Sequence, residues 1–338
     1  MKSATKPTIR GIANDLGLSS ATVSKALAGR QEINDETREK VMARAREVGY
    51  TKNLSTRRRF GAVAVNPSSM EDSQTSLLFS LLMGFQLYAS KLSHDVVIIN
   101  MNSEEQEQTS LDQFAYDCQL DGLFIAGLRN TDIYHSQLEM AITPIVVMDI
   151  QSANTKVGSV STDSIKGGVL AIQHLSELGH KRIGFVNGHK EAYISTERLA
   201  GYISALHMYQ IPFDQSLCFD GDYSIESGAA AADYFAKTDA TAIYFASDLM
   251  ALGAIRRFEA LGFSLPHDFS IVGFDNLSIC MGCSPTITTV AQDPVALGEA
   301  ACAVLHGLEQ GMPLRHVKLA PWLVDRESTA VLEVLCGA

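Results

Sequence analysis

Residues 8–50 read TIRGIANDLGLSSATVSKALAGRQEINDETREKVMARAREVGY. Thr8 offers a side-chain oxygen to cap a helix start, and Ile9, Ile12, Ala13 and Leu16 recur at helical spacing to give one buried face. Gly17 ends that helix. Ser19 caps a second, short helix carrying Val23, Ala26 and Leu27. The small Ala13 leaves room for the two helices to cross tightly, and Gly17 supplies the turn between them. A third helix begins at Asn34, a cap followed by Asp35 and Glu36 at the positive helix end; it buries Val41, Ala45 and Val48 and stops at Gly49. Three short helices with this spacing predict a helix-turn-helix, with the second helix entering the major groove by its N-terminal residues.

On that helix Ser20 can donate to or accept from a base edge, Ala21 can touch a thymine methyl, and Lys25 can reach guanine O6 and N7. Thr22, Ser24 and Arg30 suit phosphates. Thr8, Ser19 and the basic run Arg57, Arg58, Arg59 complete the candidate DNA-binding set. A generic three-helix bundle uses the same caps and apolar stripe and is the competing reading of this segment.

The net charge of −11 over 338 residues looks wrong for a nucleic-acid binder until the chain is split. Residues 1–60 hold 13 Lys/Arg and 6 Asp/Glu, a balance of +7; the remaining 278 residues carry −18. One small module is thus suited to a polyanion and a larger one is not. No apolar run approaches the ~18–20 residues of a membrane span. The N-terminus lacks the apolar segment of a secretory signal, and six Cys are too sparse for a disulfide scaffold. The expectation is a cytoplasmic protein with no membrane partner.

From Gly61 the pattern changes to short apolar runs: GAVAV (61–65), VVIINM (96–101), GLFIAG (122–127), PIVVMD (144–149), RIGFVNG (182–188), AIYFAS (242–247) and FSIVGFD (269–275). Continuous rather than alternating apolarity predicts strands buried on both faces, hence parallel sheets covered by helices. The βαβα order runs twice, which predicts two doubly wound lobes with ligands at the carboxyl ends of their strands, facing a shared cleft.

The Thr8–Tyr50 run, with Ser-Ala-Thr-Val-Ser-Lys at 20–25, resembles the N-terminal domain of the lactose-repressor-like (LacI/GalR) bacterial transcriptional regulators. The likeness continues through Arg198-Leu199-Ala200-Gly201, Gly221-Asp222-Tyr223, Ser247-Asp248-Leu249-Met250-Ala251, Gly273-Phe274-Asp275-Asn276, Pro285–Val290 and Arg326-Glu327-Ser328-Thr329. It implies an all-α helix-turn-helix head (1–51), a short basic hinge (52–60), and a periplasmic-binding-protein-like α/β core (61–338) with three crossings between lobes. The N-lobe would be about 61–162 plus 292–321, and the C-lobe about 163–291 plus 322–338.

The linker departs from the family. The wedge position, usually Leu, falls on Arg59, and the usual Pro after the Tyr is Lys52. Three arginines can enter a narrow minor groove or meet phosphates; a hydrophobic wedge would have to come from Leu54 or Phe60. Gly11, where the family usually has Asp, weakens helix 1 by ~1 kcal/mol.

In the cleft, Asp149 and Asp275 each end a strand, Arg198 begins the helix after a third, and Tyr223 stands at the end of a further strand. Two carboxylates can accept from vicinal hydroxyls, an Arg supplies a rigid donor fork, and an aromatic face suits a sugar ring. The resemblance assigns Asp149, Arg198, Tyr223 and Asp275 to the effector, keeps Ser247 as a donor where Asn is frequent, and places Leu78, Phe79 and Ile150 as apolar walls. Asp149 and Asp163 could instead cap helices, and Arg198 could be a structural ion pair. Ala192 stands where purine-responsive members have a second Arg, which favours a sugar, sugar acid or polyol.

Cys280-Met-Gly-Cys283 is a CxxC without a zinc-spaced partner and reads as reduced structural thiols. His180, ahead of a strand, reads as a turn residue. No P-loop, hydrolase-elbow or zincin motif occurs, so no enzyme, cofactor or metal is expected. The expectation is a homodimeric, sequence-specific repressor on a pseudo-palindromic double-stranded operator, controlled by a small carbohydrate-like effector. The rival is a sugar-binding or sugar-processing protein whose N-terminal helices serve another partner.

Overall fold

A computed structural model describes residues 8–27, 33–48, 50, 57–65, 72–312 and 315–332. The chain divides into two compact units, residues 1–57 and 58–338. In the first, α1 (Ile9–Leu16), α2 (Ser20–Leu27) and α3 (Asp35–Glu47) bury Ile12, Ala13, Val23, Ala26, Val41 and Ala45 against one another. Thr8 caps α1 by accepting from the Gly11 amide at 3.1 Å. Gly17 ends it at φ 65°, a left-handed conformation that favours glycine. Asn34 caps α3, accepting from the Thr37 amide at 2.8 Å. Arg44 of α3 pairs with Asp15 at 2.8 Å, tying the third helix to the end of the first.

The second unit holds two six-stranded sheets. In the N-lobe, β1 (Arg59–Val65), β2 (Asp95–Met101), β3 (Gly122–Ala126), β4 (Ile145–Met148), β5 (Val157–Thr162) and β11 (His316–Leu319) lie all parallel in the order β11-β5-β4-β3-β1-β2. Helices α4 (Asp72–Lys91), α5 (Ser103–Gln108), α6 (Leu111–Asp117), α7 (Ile133–Gln137) and α12 (Pro294–Glu309) belong to this lobe. In the C-lobe, β6 (Ile183–Asn187), β7 (Cys218–Asp220), β8 (Ala242–Phe245), β9 (Ser270–Asp275), β10 (Thr288–Ala291) and β12 (Trp322–Val324) take the order β12-β10-β9-β8-β6-β7. Only β12 is antiparallel to its neighbour. Helices α8 (Ser164–Glu177), α9 (Tyr193–Met208), α10 (Ile225–Phe235) and α11 (Asp248–Ala260) cover that sheet.

Three segments carry the chain between lobes: β5 to α8, β10 to α12, and β11 to β12. Asp163, at the first crossing, caps α8 by accepting from the Lys166 amide at 3.0 Å. Central strands β3 and β8 are buried along their whole length, as continuous apolar runs require. VVIINM behaves differently. It forms the edge strand β2, with Ile98 half exposed, so one of its faces is not covered.

Two expectations for the linker need correction. The first core strand begins at Arg59, not Gly61, because the Arg59 amide donates to the Asp121 carboxylate at 2.8 Å and its carbonyl accepts from the Asp121 amide. Phe60 is fully buried, edge-on to Phe85 and His94, so it cannot serve as a minor-groove wedge. Leu54 and Lys52 lie outside the described residues. His180 also differs from its reading as a turn residue: it is a buried hub, bonded to Thr241, Ser270 and the Ala330 carbonyl.

Candidate ligand and DNA-binding sites

In the helical unit, Ser19 accepts from the Thr22 amide at 3.0 Å, and its hydroxyl also pairs with that of Thr22 at 2.8 Å. This fixes the start of α2. Ser20, Ala21 and Lys25 stand exposed on it, while Thr22 and Ser24 are half-buried beside Val23. The residues assigned to base edges are therefore the accessible ones. Arg30 lies outside the described residues.

The basic run splits. Arg58 Nη1 pairs with Asp121 at 3.2 Å and Nε with Glu309 at 3.3 Å, so two acids of the core engage its guanidinium. Arg59 is an exposed residue of β1 whose backbone belongs to the sheet. The expectation that 57–59 act together as a linker follows composition alone; the strand register divides them.

The parallel strands of both lobes point their carboxyl ends at one interlobe cavity of about 580 Å³, a size that suits a small organic ligand. Asp149, Ile150, Arg198, Tyr223, Ser247 and Asp275 all line it, although they come from five separate segments. Three of them share a backbone feature: φ is 63° at Asp149, 69° at Tyr223 and 110° at Asp275. Non-glycine residues avoid that region, yet three strand-end positions of one cavity adopt it. The Tyr223 ring packs where Gly188 has no side chain; a Cβ there would meet the ring at 1.9 Å.

Arg198 is buried at the centre. Its guanidinium stacks 3.9 Å from the Phe274 ring centroid, donates to the Ala246 carbonyl and stands 3.6 Å from Asp275. Its Nε has no partner among the described residues, and neither has the buried Tyr244 hydroxyl. Burial pushes the Asp149 carboxyl up to about 7, with the Arg198 charge opposing the rise. Burial likewise raises Asp275, again opposed by Arg198. Such a site offers hydroxyl-rich ligands two acceptors and an unused guanidinium donor.

Asp275 accepts from Gln292 Nε2 at 2.8 Å, and Gln292 Oε1 accepts from Thr162 at 2.7 Å. This relay joins the C-lobe carboxylate to an N-lobe strand end through the second crossing. Lys318 of β11 pairs with Glu197 of α9, and Asn130 donates to the Glu191 carbonyl at 2.6 Å, so both lobes also meet beside the cavity.

One reading changes here. Phe79 is 63 % exposed and does not line the cavity; Leu77, Leu78 and Leu81 do. On α4, positions 77, 78 and 81 share a face, whereas residue 79 points roughly 200° away from 77 at ~100° per residue. Ser247 lines the cavity and caps α11 by accepting from the Met250 amide at 3.3 Å, which leaves its hydroxyl proton to donate. Gln292 was missed by the sequence reading, although its position directly after a strand end is the signal that found Asp275. In the CxxC, Cys283 donates to the carbonyls of Cys280 and Pro285, and both thiols are free.

A helix-turn-helix unit joined to two ligand-cupping α/β lobes defines a DNA-binding regulator controlled by a small ligand. Residues 8–53 match the model of the bacterial regulatory proteins of the lacI family, and residues 172–329 match a periplasmic binding protein-like domain. The chain thus carries a lacI family helix-turn-helix domain followed by a periplasmic-binding-protein-like domain. It is 28 % identical over 333 residues to the HTH-type transcriptional repressor CytR of Escherichia coli K12, covering 96 % of both chains. Among solved structures it resembles a CelR transcriptional regulator–cellobiose complex (TM-score 0.70, 28 % identity, 95 % of this chain and 99 % of that one). It also resembles a LacI family regulator from Enterococcus faecium with bound ribose (TM-score 0.67, 26 % identity, 82 % of this chain and 100 % of that one). Among the described residues no helix is long and apolar enough to cross a membrane.

Proposed function

We propose that this regulator is a homodimeric repressor that binds a pseudo-palindromic operator through two helix-turn-helix heads and senses a carbohydrate-like effector between its lobes. Ser20, Ala21 and Lys25 read base edges, while Thr8, Ser19, Thr22 and Ser24 lie toward phosphates. Asp149, Arg198 and Asp275 bind effector hydroxyls, against Tyr223 and an apolar wall of Leu78 and Ile150. The observation that carries this reading is the buried Arg198 between two carboxyls, with an unpartnered Nε beside a cavity of about 580 Å³. Cellobiose and ribose in the two related structures support a sugar-type ligand, as does Ala192 in place of a second arginine.

Effector binding acts on the lobe angle, since the relay Thr162–Gln292–Asp275 spans a crossing. A coupling of ~1–3 kcal/mol is sufficient for a switch. A thermal-shift screen of sugars, sugar acids and polyols finds the effector, and a mobility-shift assay with DNA upstream of the gene reads the response. The effector should stabilise the unsubstituted chain but not Arg198→Met. A chain with no preference for that DNA over random sequence would refute the regulator reading.

A further inference from the structure

Away from the cleft, one group of three metal-capable side chains lies together among the described residues: His94, His306 and Glu309, with one donor atom from each within 4.8 Å of the others. None of the three lines the interlobe cavity. His94 sits in the turn between α4 and β2, whereas His306 and Glu309 are three apart on α12, a spacing that puts both on one helix face. Sequence cannot pair them, because His94 and His306 are 212 residues apart.

His94 Nε2 stands 3.1 Å from His306 Nδ1. Two nitrogens that close fit adjacent ligands of a cation at bonds of ~2.0–2.1 Å and an angle of roughly 100°. Glu309 supplies an independent pointer. Its side chain is 5 % exposed, Arg58 holds Oε1, and Oε2 is buried with no partner among the described residues. An orphaned buried acceptor is destabilising, and a bound cation would satisfy it.

We propose that His94, His306 and Glu309 form a binding site for a first-row divalent cation of the zinc type, distinct from the effector cleft. Two imidazoles and one carboxylate suit such a cation and leave a fourth position to water. Each imidazole keeps its proton on the nitrogen facing away from the ion. The site also touches the start of the effector-binding unit: a cation on Oε2 would place positive charge beside Arg58, which is bound to the same carboxylate.

The test titrates Zn(II) into the chelator-stripped full chain, with a chromogenic chelator as competitor, for the unsubstituted protein and for His306→Gln and Glu309→Gln. The unsubstituted chain should take up one more zinc than His306→Gln, and Glu309→Gln should bind it at least ~10-fold more weakly. Co(II) read on the unsubstituted chain needs no folded variant; it should give visible bands without thiolate charge transfer. Equal zinc uptake by all three proteins, or a Co(II) spectrum dominated by thiolate, would overturn the site and assign the metal to cysteines.

Discussion

Replacing Asp149 by Asn removes a carboxyl that folding places in the cavity wall. In the unfolded chain that group ionises near 3.8; in the fold, burial pushes it up to about 7 despite the Arg198 charge. Between those values the native state keeps a proton that the unfolded state has lost. Stability must therefore fall as pH rises through that window, and level off above about 7. The gap corresponds to ~4 kcal/mol at most. Asp149 is partly exposed to the cavity, and discounting for that exposure leaves roughly 2–3 kcal/mol. The Asn variant keeps the shape and one acceptor but cannot ionise. Without effector, Asp149→Asn should match the unsubstituted chain near pH 4 and exceed it at pH 8 by ~2–3 kcal/mol. That corresponds to about 4–12 °C in Tm at ~2–4 °C per kcal/mol. Thermal unfolding at constant ionic strength from pH 4 to 8 reads the difference directly. Parallel profiles for the two proteins would show that Asp149 is not held in its neutral form by the fold, and the electrostatic account of the cleft would fail with it.

Further outcomes can be checked independently. Asp275→Asn should abolish the effector-induced rise in Tm while leaving effector-free DNA binding intact in mobility shifts; loss of both would make Asp275 structural. Arg58→Ala should leave the salt dependence of DNA binding unchanged, because Asp121 and Glu309 already hold the guanidinium. A phosphate contact would instead remove about 0.9 from the slope of log K against log salt. Phe60→Ala should cost ~3–5 kcal/mol in urea unfolding, as a fully buried aromatic of the N-lobe core; a loss under 1 kcal/mol would argue for the wedge role.

The helical unit was legible because its signals are local. Caps at Thr8, Ser19 and Asn34 act over three residues, and the structure shows each accepting the expected amide. The long apolar runs were legible for a similar reason: a strand buried on both faces has no room for alternation. What escaped were strands whose polar groups find distant partners. β5, VGSVST, is buried throughout, yet it is not an apolar run, and its polar side chains find distant partners: Ser159 meets His316 and Thr162 meets Gln292. β7, β10, β11 and β12 are three or four residues long and carry too little pattern to stand out. Phe79 failed because its assignment followed alignment to a position, while helical phase decides which side chain meets the cavity.

By itself the sequence determined the two modules, since the caps, the apolar periodicity and the charge split near residue 60 depend on residues close in the chain. It also brought Asp149, Arg198, Tyr223 and Asp275 forward as a set. Tertiary structure alone decided their chemistry. Burial raises both carboxyls, Arg198 rests on Phe274 with one donor unused, and Gln292 links the site to the opposite lobe. It also decided that Arg58 belongs to the acids of the core, and that His94 meets His306 and Glu309. These outcomes depend on distances and desolvation between residues separated by tens to hundreds of positions, which chain order does not encode locally.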